Sequence, residues 1–250
     1  MAFVSVSETG NIATLVLSRG KVNALTEEVV DELKSSFQEL STDPKVKTVI
    51  LTGSGKFFSF GFDIPHFLNH SKDQFARYLN KFTDFYTYLF VFPKPVIAAL
   101  NGHTIAGGCM IATACDYRIM VTGKAKISLN EITFGSSVFA GSVEMLKSSV
   151  GHRNAESILC SGAMYSAEQA LDLGLIDRIS SEQDLLPLAE RVADDFASRD
   201  SRAFESIKQL LRRPIAEEMK TRERESITEF VEIWYSAETR AQIEQVKIRG

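Results

Sequence analysis

Along the first hundred residues, segments with the hydrophobic pattern of β-strands alternate with segments that have the hydrophobic spacing of an α-helix. Residues 3–7 alternate apolar with polar side chains, a Thr9-Gly10-Asn11 turn follows, and residues 12–17 resume as a strand, which together predict a β-hairpin. The segments VKTVILT (46–52) and PVIAAL (95–100) predict buried strands, and a helix is predicted between them at 72–90. An earlier helix, which Thr26 can cap, has apolar residues at helical spacing: Val29, Val30, Leu33, Phe37 and Leu40. This order is typical of an α/β fold in which right-handed crossovers join parallel strands.

The second half predicts shorter elements and then helices alone. A helix is expected from residue 107, strands at 117–121 and 127–129, and a helix that Ser166 and Gln169 begin with a capping box. From Glu182 onward only helical periods remain, and they form three apolar faces: Leu185, Leu188, Val192 and Phe196; Phe204, Ile207, Leu210 and Leu211; Ile227, Phe230, Val231 and Trp234. We therefore predict a strand-rich core over residues 1–190 and a helical region over 191–250.

Composition and charge exclude some partners. The chain has 250 residues, of which 44% are hydrophobic and 24% charged, and its net charge is -4. Because Lys and Arg are scattered and form no basic stripe, we expect no nucleic acid partner, and we expect no membrane partner either. The start MAFVSVSETG lacks a basic segment and a long apolar run, and the end KIRG is not a peroxisomal signal. We therefore expect a cytoplasmic protein.

Standard site motifs are absent, and two glycine turns remain. The sequence contains no dinucleotide fingerprint, no P-loop, no zinc-protease motif and no nucleophile elbow. The four histidines have no ligand spacing, so we predict no metal. Gly61 and the pair Gly107 and Gly108 each follow a buried apolar run, and glycine allows a backbone to approach closely. By spacing alone these are either ordinary tight turns or two amide donors that converge on one oxygen.

Four segments, in the right order, resemble the crotonase family, the enoyl-CoA hydratase/isomerase superfamily. They are KFFSFGFDI (56–64), KPVIAALNGHTIAGGCMIATACDYRI (94–119), AKISLNEITFG (125–135) and CSGAMYSAEQALDLGLIDRI (160–179). The resemblance implies a spiral of ββα repeats followed by a helical C-terminal trimerisation region. It also implies a homotrimer, or a hexamer made of two trimers. The apolar face that includes Ile227 and Trp234 is then the expected trimer contact.

The resemblance further implies an acyl-CoA thioester substrate and its binding residues. The thioester oxygen is expected between the backbone N–H groups of Phe60 and Gly107, which would form an oxyanion hole. No cofactor is expected apart from coenzyme A as part of the substrate. Residues expected to contact the substrate are Phe60, Gly61, Phe62, Asp63, Ile64, Gly107, Met110, Phe134 and Phe139.

One acid position of the family is occupied by methionine. Hydratases of this family use two glutamates, because adding water requires both an activated nucleophile and a proton donor. By the resemblance, Met110 stands at the first position and Glu131 at the second. A single carboxylate suffices to move a proton from C2 to C4, so the isomerase branch, Δ3,Δ2-enoyl-CoA isomerase, is the closer resemblance. Apolar neighbours are expected to raise the pKa of Glu131: Met110, Ile111, Phe134, Val138 and Phe139.

Two other functions stay open from the sequence. A hydratase or lyase of the same family could use a different second acid, such as Glu144. A protein that binds CoA thioesters without turnover is also compatible with Met110.

Overall fold

The computed structural model describes residues 2–245, which form nine strands and nine α-helices. The strands are β1 (Val4–Thr9), β2 (Ile12–Leu17), β3 (Thr48–Gly53), β4 (Phe57–Ser59), β5 (Val96–Leu100), β6 (His103–Ile105), β7 (Tyr117–Val121), β8 (Ile127–Ser128) and β9 (Arg178–Ser180). The helices are α1 (Glu27–Thr42), α2 (Ile64–Phe67), α3 (Lys72–Phe90), α4 (Gly107–Ala114), α5 (Ala140–Ser161), α6 (Ala167–Asp172), α7 (Leu185–Ala197), α8 (Ser201–Trp234) and α9 (Ala237–Ile243).

Six strands form the main sheet, in the order β1-β2-β3-β5-β7-β9. β1 and β2 pair antiparallel, which confirms the predicted hairpin, and every later pair is parallel. All five residues of β5 are buried, as expected for a strand covered on both faces. β3 and β5 lie in the middle of this sheet, which explains why both strands are almost wholly buried.

Three short parallel strands form a second sheet, in the order β4-β6-β8. The sequence analysis predicted only the last of them. Strands of two or three residues are too short to show an alternating period, so the sequence pattern assigned the residues of β4 and β6 to loops. In a parallel sheet the carboxyl ends of the strands lie at one edge, where ligands commonly bind. The segments that follow β4, β6 and β8 therefore lie side by side.

The C-terminal helix α8 packs on its own chain against α3 and α5. Its apolar residues Ile227, Phe230, Val231 and Trp234 are at most 5% exposed in the single chain. The prediction that they form a trimer contact is therefore wrong, because they are already covered within the protomer. By contrast, Ile207, Leu210 and Leu211 are 58%, 76% and 68% exposed. The periodicity was right, but it does not tell which apolar face stays uncovered.

The predicted boundary at residue 190 falls inside a helix. α7 spans Leu185–Ala197 and buries its apolar side against β3 and β5 of the main sheet. The helix thus begins in the predicted core and ends in the predicted helical region, which itself extends beyond the described residues. None of the helices within residues 2–245 is both long enough and apolar enough to cross a membrane.

Candidate active site

Two glycine turns touch each other at the carboxyl edge of the small sheet. Gly61 follows β4 with φ of +88°, and a Cβ built there would lie 3.0 Å from the backbone nitrogen of Gly107. A Cβ on Gly108 would lie 2.6 Å from the carbonyl oxygen of Ser59. Carbon and oxygen do not approach this closely without displacement of the backbone. Both positions consequently require glycine, and the two turns form one unit.

The backbone amides of this unit differ in their hydrogen bonds. The N–H of Phe60 donates to the carbonyl oxygen of Val22 at 2.9 Å. This contact disagrees with the prediction that Phe60 supplies a free oxyanion donor, because that N–H is already paired. The N–H groups of Phe62 and Gly107 donate to no acceptor within residues 2–245. Gly107 is the first residue of α4, where amides lack a partner inside the helix. The available pair is therefore Phe62 and Gly107.

Glu131 lies beside these turns, directly after β8. It begins a 3₁₀ turn, Glu131–Phe134, and is 4% exposed. Its Oε2 atom has no hydrogen-bond partner within the described residues. Burial raises the pKa of Glu131 to about 8, and a backbone hydrogen bond opposes this shift only in part. The raised pKa that the sequence analysis expected is thus confirmed.

A mainly apolar cavity of about 130 Å³ opens between the turns and α8. Six of the predicted site residues line it: Phe60, Phe62, Ile64, Glu131, Phe134 and Phe139. The other predicted residues, Gly61, Asp63, Gly107 and Met110, are not among its walls in the part of the chain that the structure describes. Met110 is 1% exposed within α4. A pocket of this kind, apolar with few polar groups, is typical of ligand sites.

Five wall residues were missed by the sequence analysis: Ile105, Ala106, Asn130, Phe230 and Trp234. Phe230 and Trp234 reach the cavity from α8, about a hundred positions after Glu131, and no local pattern reports that approach. Ala106 has φ of +50°, a conformation that alanine seldom adopts. Such strain is often found at functional sites.

Polar side chains hold the loop that follows β4. Asp63 pairs with Arg19 at 2.8 Å and accepts a hydrogen bond from the N–H of His66 at the start of α2. Asn23 is fully buried, and its amide donates to the carbonyl oxygens of Ser54 and Phe57. Asp63 therefore shapes the loop, whereas the sequence predicted it as a substrate contact. Asn23 carried no signal in the sequence that could have singled it out.

Glu144 does not face the cavity. Its carboxylate pairs with Lys147 at 2.9 Å and with Arg222 at 2.8 Å. Within residues 2–245, Glu131 is the one carboxylic acid among the cavity walls. Close groups of three or more His, Cys, Asp or Glu side chains, as a metal site would need, do not occur among the described residues.

The fold is that of the crotonase class of enzymes. The model of the enoyl-CoA hydratase/isomerase family matches residues 7–245. The chain therefore belongs to the enoyl-CoA hydratase/isomerase family, and the crotonase-like fold predicted from the sequence is confirmed.

Relatives carry names from both branches of the family. A "Probable enoyl-CoA hydratase" of Bacillus subtilis is 30% identical over 213 residues, which are 84% of this chain and 82% of that protein. "Enoyl-CoA delta isomerase 1, mitochondrial" of Mus musculus is 28% identical over 218 residues, or 86% and 75% of the two chains. Among solved structures, human mitochondrial delta3-delta2-enoyl-CoA isomerase superposes with a TM-score of 0.93 and 26% identity, covering 97% of this chain and 96% of the other.

Proposed function

We propose that this protein is a Δ3,Δ2-enoyl-CoA isomerase in which Glu131 carries the proton. The observation that supports this most directly is the cavity itself, in which one buried carboxylic acid stands alone among apolar walls within the described residues. A reaction that only relocates a proton needs one group that can act first as base and then as acid. A pKa of about 8 suits both roles near neutral pH.

The reaction proceeds in two proton transfers. Glu131, as the carboxylate, takes a proton from C2 of a β,γ-unsaturated acyl-CoA, and the electron pair of that C–H bond delocalises into a dienolate. The protonated Glu131 then returns the proton to C4, while the double bond settles between C2 and C3 and the thioester carbonyl reforms. The acid is regenerated as a carboxylate, so no water and no cofactor is consumed.

The dienolate oxygen needs hydrogen-bond donors, and we assign these to the amides of Phe62 and Gly107. Both N–H groups are free within residues 2–245, whereas that of Phe60 is paired with Val22. Fixed main-chain donors stabilise a developing oxyanion, and loss of one such donor typically costs about 3 to 4 kcal/mol. Phe60 keeps a role as a wall residue.

The rival functions have less support. A hydratase needs a second acid, but Met110 occupies one family position and Glu144 is held by two cations away from the cavity. A CoA-thioester binding protein would have no use for a carboxyl group whose pKa is raised by burial. Burial makes the ionised form of a carboxyl group unfavourable, and groups whose pKa is shifted in this way are commonly found at catalytic sites.

Assembly and location extend the proposal. We expect a homotrimer, or a pair of trimers, with the exposed residues Ile207, Leu210 and Leu211 of α8 in a subunit contact. Analytical ultracentrifugation tests this, and a monomer would contradict it. Location in the cytoplasm and the absence of a cofactor other than substrate-borne coenzyme A stay predictions.

A paired assay tests the proposed function. In one assay the purified protein receives a β,γ-enoyl-CoA, and its conversion to the conjugated isomer is monitored. In the other it receives an α,β-enoyl-CoA, and its hydration is monitored. We expect fast isomerisation and slow hydration, and we expect Glu131→Gln to lose the isomerisation. Dominant hydration would favour the hydratase, and binding without either reaction would favour the binding protein.

A further inference from the structure

The start of α5 receives its caps from another helix. Phe139 precedes α5 and has no side-chain acceptor, so the first amides of the helix need partners elsewhere. Ser226 of α8 accepts from the N–H of Ala140 at 3.0 Å, and Glu223 Oε2 accepts from the N–H of Gly141 at 2.9 Å. A carboxylate at this end of a helix is also favoured by the helix dipole.

Glu223 joins a third helix at the same point. Tyr86 of α3, which is fully buried, donates its hydroxyl hydrogen to Glu223 Oε1 at 2.8 Å. A Cβ built on Gly141 would lie 2.5 Å from both Glu223 Oε2 and the hydroxyl oxygen of Tyr86. The carboxyl group is thus enclosed between α3, α5 and α8 with no spare room. Both of its oxygens are used, and only 9% of the residue is exposed.

The same face of α8 supplies part of the cavity wall. Phe230 and Trp234 follow Glu223 by about two and three helical turns and both line the cavity. Phe230 contacts Phe139, with their ring centroids 4.6 Å apart. Phe139 is itself both a wall residue and the residue that precedes α5. A shift of α8 along α5 would consequently move the rings of Phe230 and Trp234 relative to that of Phe139.

We propose that Glu223 is a positioning residue that holds α8 in register on α5 and thereby sets the shape of the wall formed by Phe139, Phe230 and Trp234. Its effect on catalysis rests on the proposed function, because it assumes that the cavity receives the acyl chain. Its effect on the shape of the wall does not depend on the proposed function. Loss of the Glu223 side chain leaves the amide of Gly141 and the hydroxyl group of Tyr86 without partners, which is unfavourable in a buried place.

Trp234 provides a direct readout, since it is the single tryptophan of the chain. Quenching of its fluorescence by acrylamide is measured without substrate in the wild type, Glu223→Ala, Glu223→Gln and Ser226→Ala. Glu225→Ala is the matched control, because Glu225 is an exposed glutamate on the same helix. Circular dichroism and a cooperative thermal transition establish that each variant is folded.

We expect Glu223→Ala to raise the quenching constant about threefold or more and Ser226→Ala to raise it less. Glu223→Gln should stay near the wild type, because its carbonyl oxygen can accept from the N–H of Gly141 while its NH2 group can donate to the hydroxyl oxygen of Tyr86. Burial raises the pKa of Glu223 to about 7, which indicates that an uncharged group is tolerated there. Wild-type quenching in a folded Glu223→Ala would overturn the inference. If that variant does not fold, Ser226→Ala decides, and unchanged quenching in it overturns the inference equally.

The kinetic arm separates this inference from the proposed function. The kcat and KM of the wild type and the variants are measured with a short and a long β,γ-enoyl-CoA. We expect Glu223→Ala to raise KM and to weaken the discrimination between the short and the long acyl chain. Its kcat for the better substrate should stay within a few-fold of the wild-type value. Glu223→Gln should restore the selectivity. An inactive wild type would refute the isomerase, yet the quenching result would still decide the role of Glu223. A folded Glu223→Ala with unchanged selectivity would refute its role in positioning the acyl wall.

Discussion

Replacing Glu131 with glutamine should remove activity and, at the same time, make the fold more stable at high pH. The carboxyl group is 4% exposed, and burial raises its pKa from 4.5 to about 8. The folded protein therefore holds this proton at pH values where the unfolded chain has released it. The group contributes stability that is fully present below pH 4.5 and is lost as the pH rises through about 8. Glutamine does not titrate, so Glu131→Gln escapes that loss.

The magnitude follows from the pKa difference. Each unit of pKa shift corresponds to about 1.4 kcal/mol. For a carboxyl group that titrates at 4.5 when unfolded and at about 8 when folded, the wild type loses about 4 kcal/mol relative to Glu131→Gln between pH 5 and pH 9. The difference should grow steadily over this interval and flatten above it.

Urea unfolding at several values between pH 5 and pH 9 measures the effect as a difference between the two proteins. Glu156→Gln serves as the control, since Glu156 is an exposed glutamate on α5, and it should follow the wild type at every pH. Isomerase activity, measured on the same samples, should fall by about 100-fold or more, because a positioned general base typically contributes at least this much. A constant stability difference from pH 5 to pH 9 would refute the reasoning, since it would mean that Glu131 titrates in the fold as it does in water.

Three further predictions concern other parts of the molecule. The kcat/KM for isomerisation should rise with pH and reach a plateau above about 8, since the base must be ionised, and a rate profile from pH 6 to pH 10 with no inflection near 8 would contradict this. Gly108→Ala should lower stability by about 1 to 3 kcal/mol and lower activity, because its methyl group would lie 2.6 Å from the carbonyl oxygen of Ser59 and push the two turns apart; thermal unfolding and the isomerase assay measure both effects. Asp116→Ala should destabilise the fold by about 3 to 5 kcal/mol in urea unfolding, since it leaves the buried Lys208 ammonium without the carboxylate that it contacts at 2.7 Å, and an unchanged midpoint would refute this.

Local periodicity was enough to predict most strands of the main sheet and most helices. The hairpin, the buried strands β3 and β5 and the long helix α3 all follow from patterns within about twenty residues. The order of motifs likewise indicated the family that the comparisons confirm. Glu131 was singled out by its motif, and its apolar neighbours correctly predicted the direction of its pKa shift.

Contacts between segments that are distant along the chain could not be predicted from the sequence. The resemblance assigned an oxyanion donor to Phe60, but the carbonyl oxygen of Val22, which lies on a different loop, already accepts that hydrogen bond. The faces of α8 give a second example. Phe230 and Leu211 look alike in the pattern, yet Phe230 is 2% exposed and Leu211 is 68% exposed.

By itself, then, the sequence determined most of the longer elements, the family resemblance and the candidate acid Glu131, since each depends on residues that are neighbours along the chain. Only the tertiary structure decided which amides stay free, which aromatic rings close the cavity and which carboxylate caps α5. Those outcomes depend on where the small sheet brings its three turns and on how α8 lies across α5. Hydrogen bonds and packing act over a few ångströms, so they are specified only once segments far apart in the chain have been brought into contact.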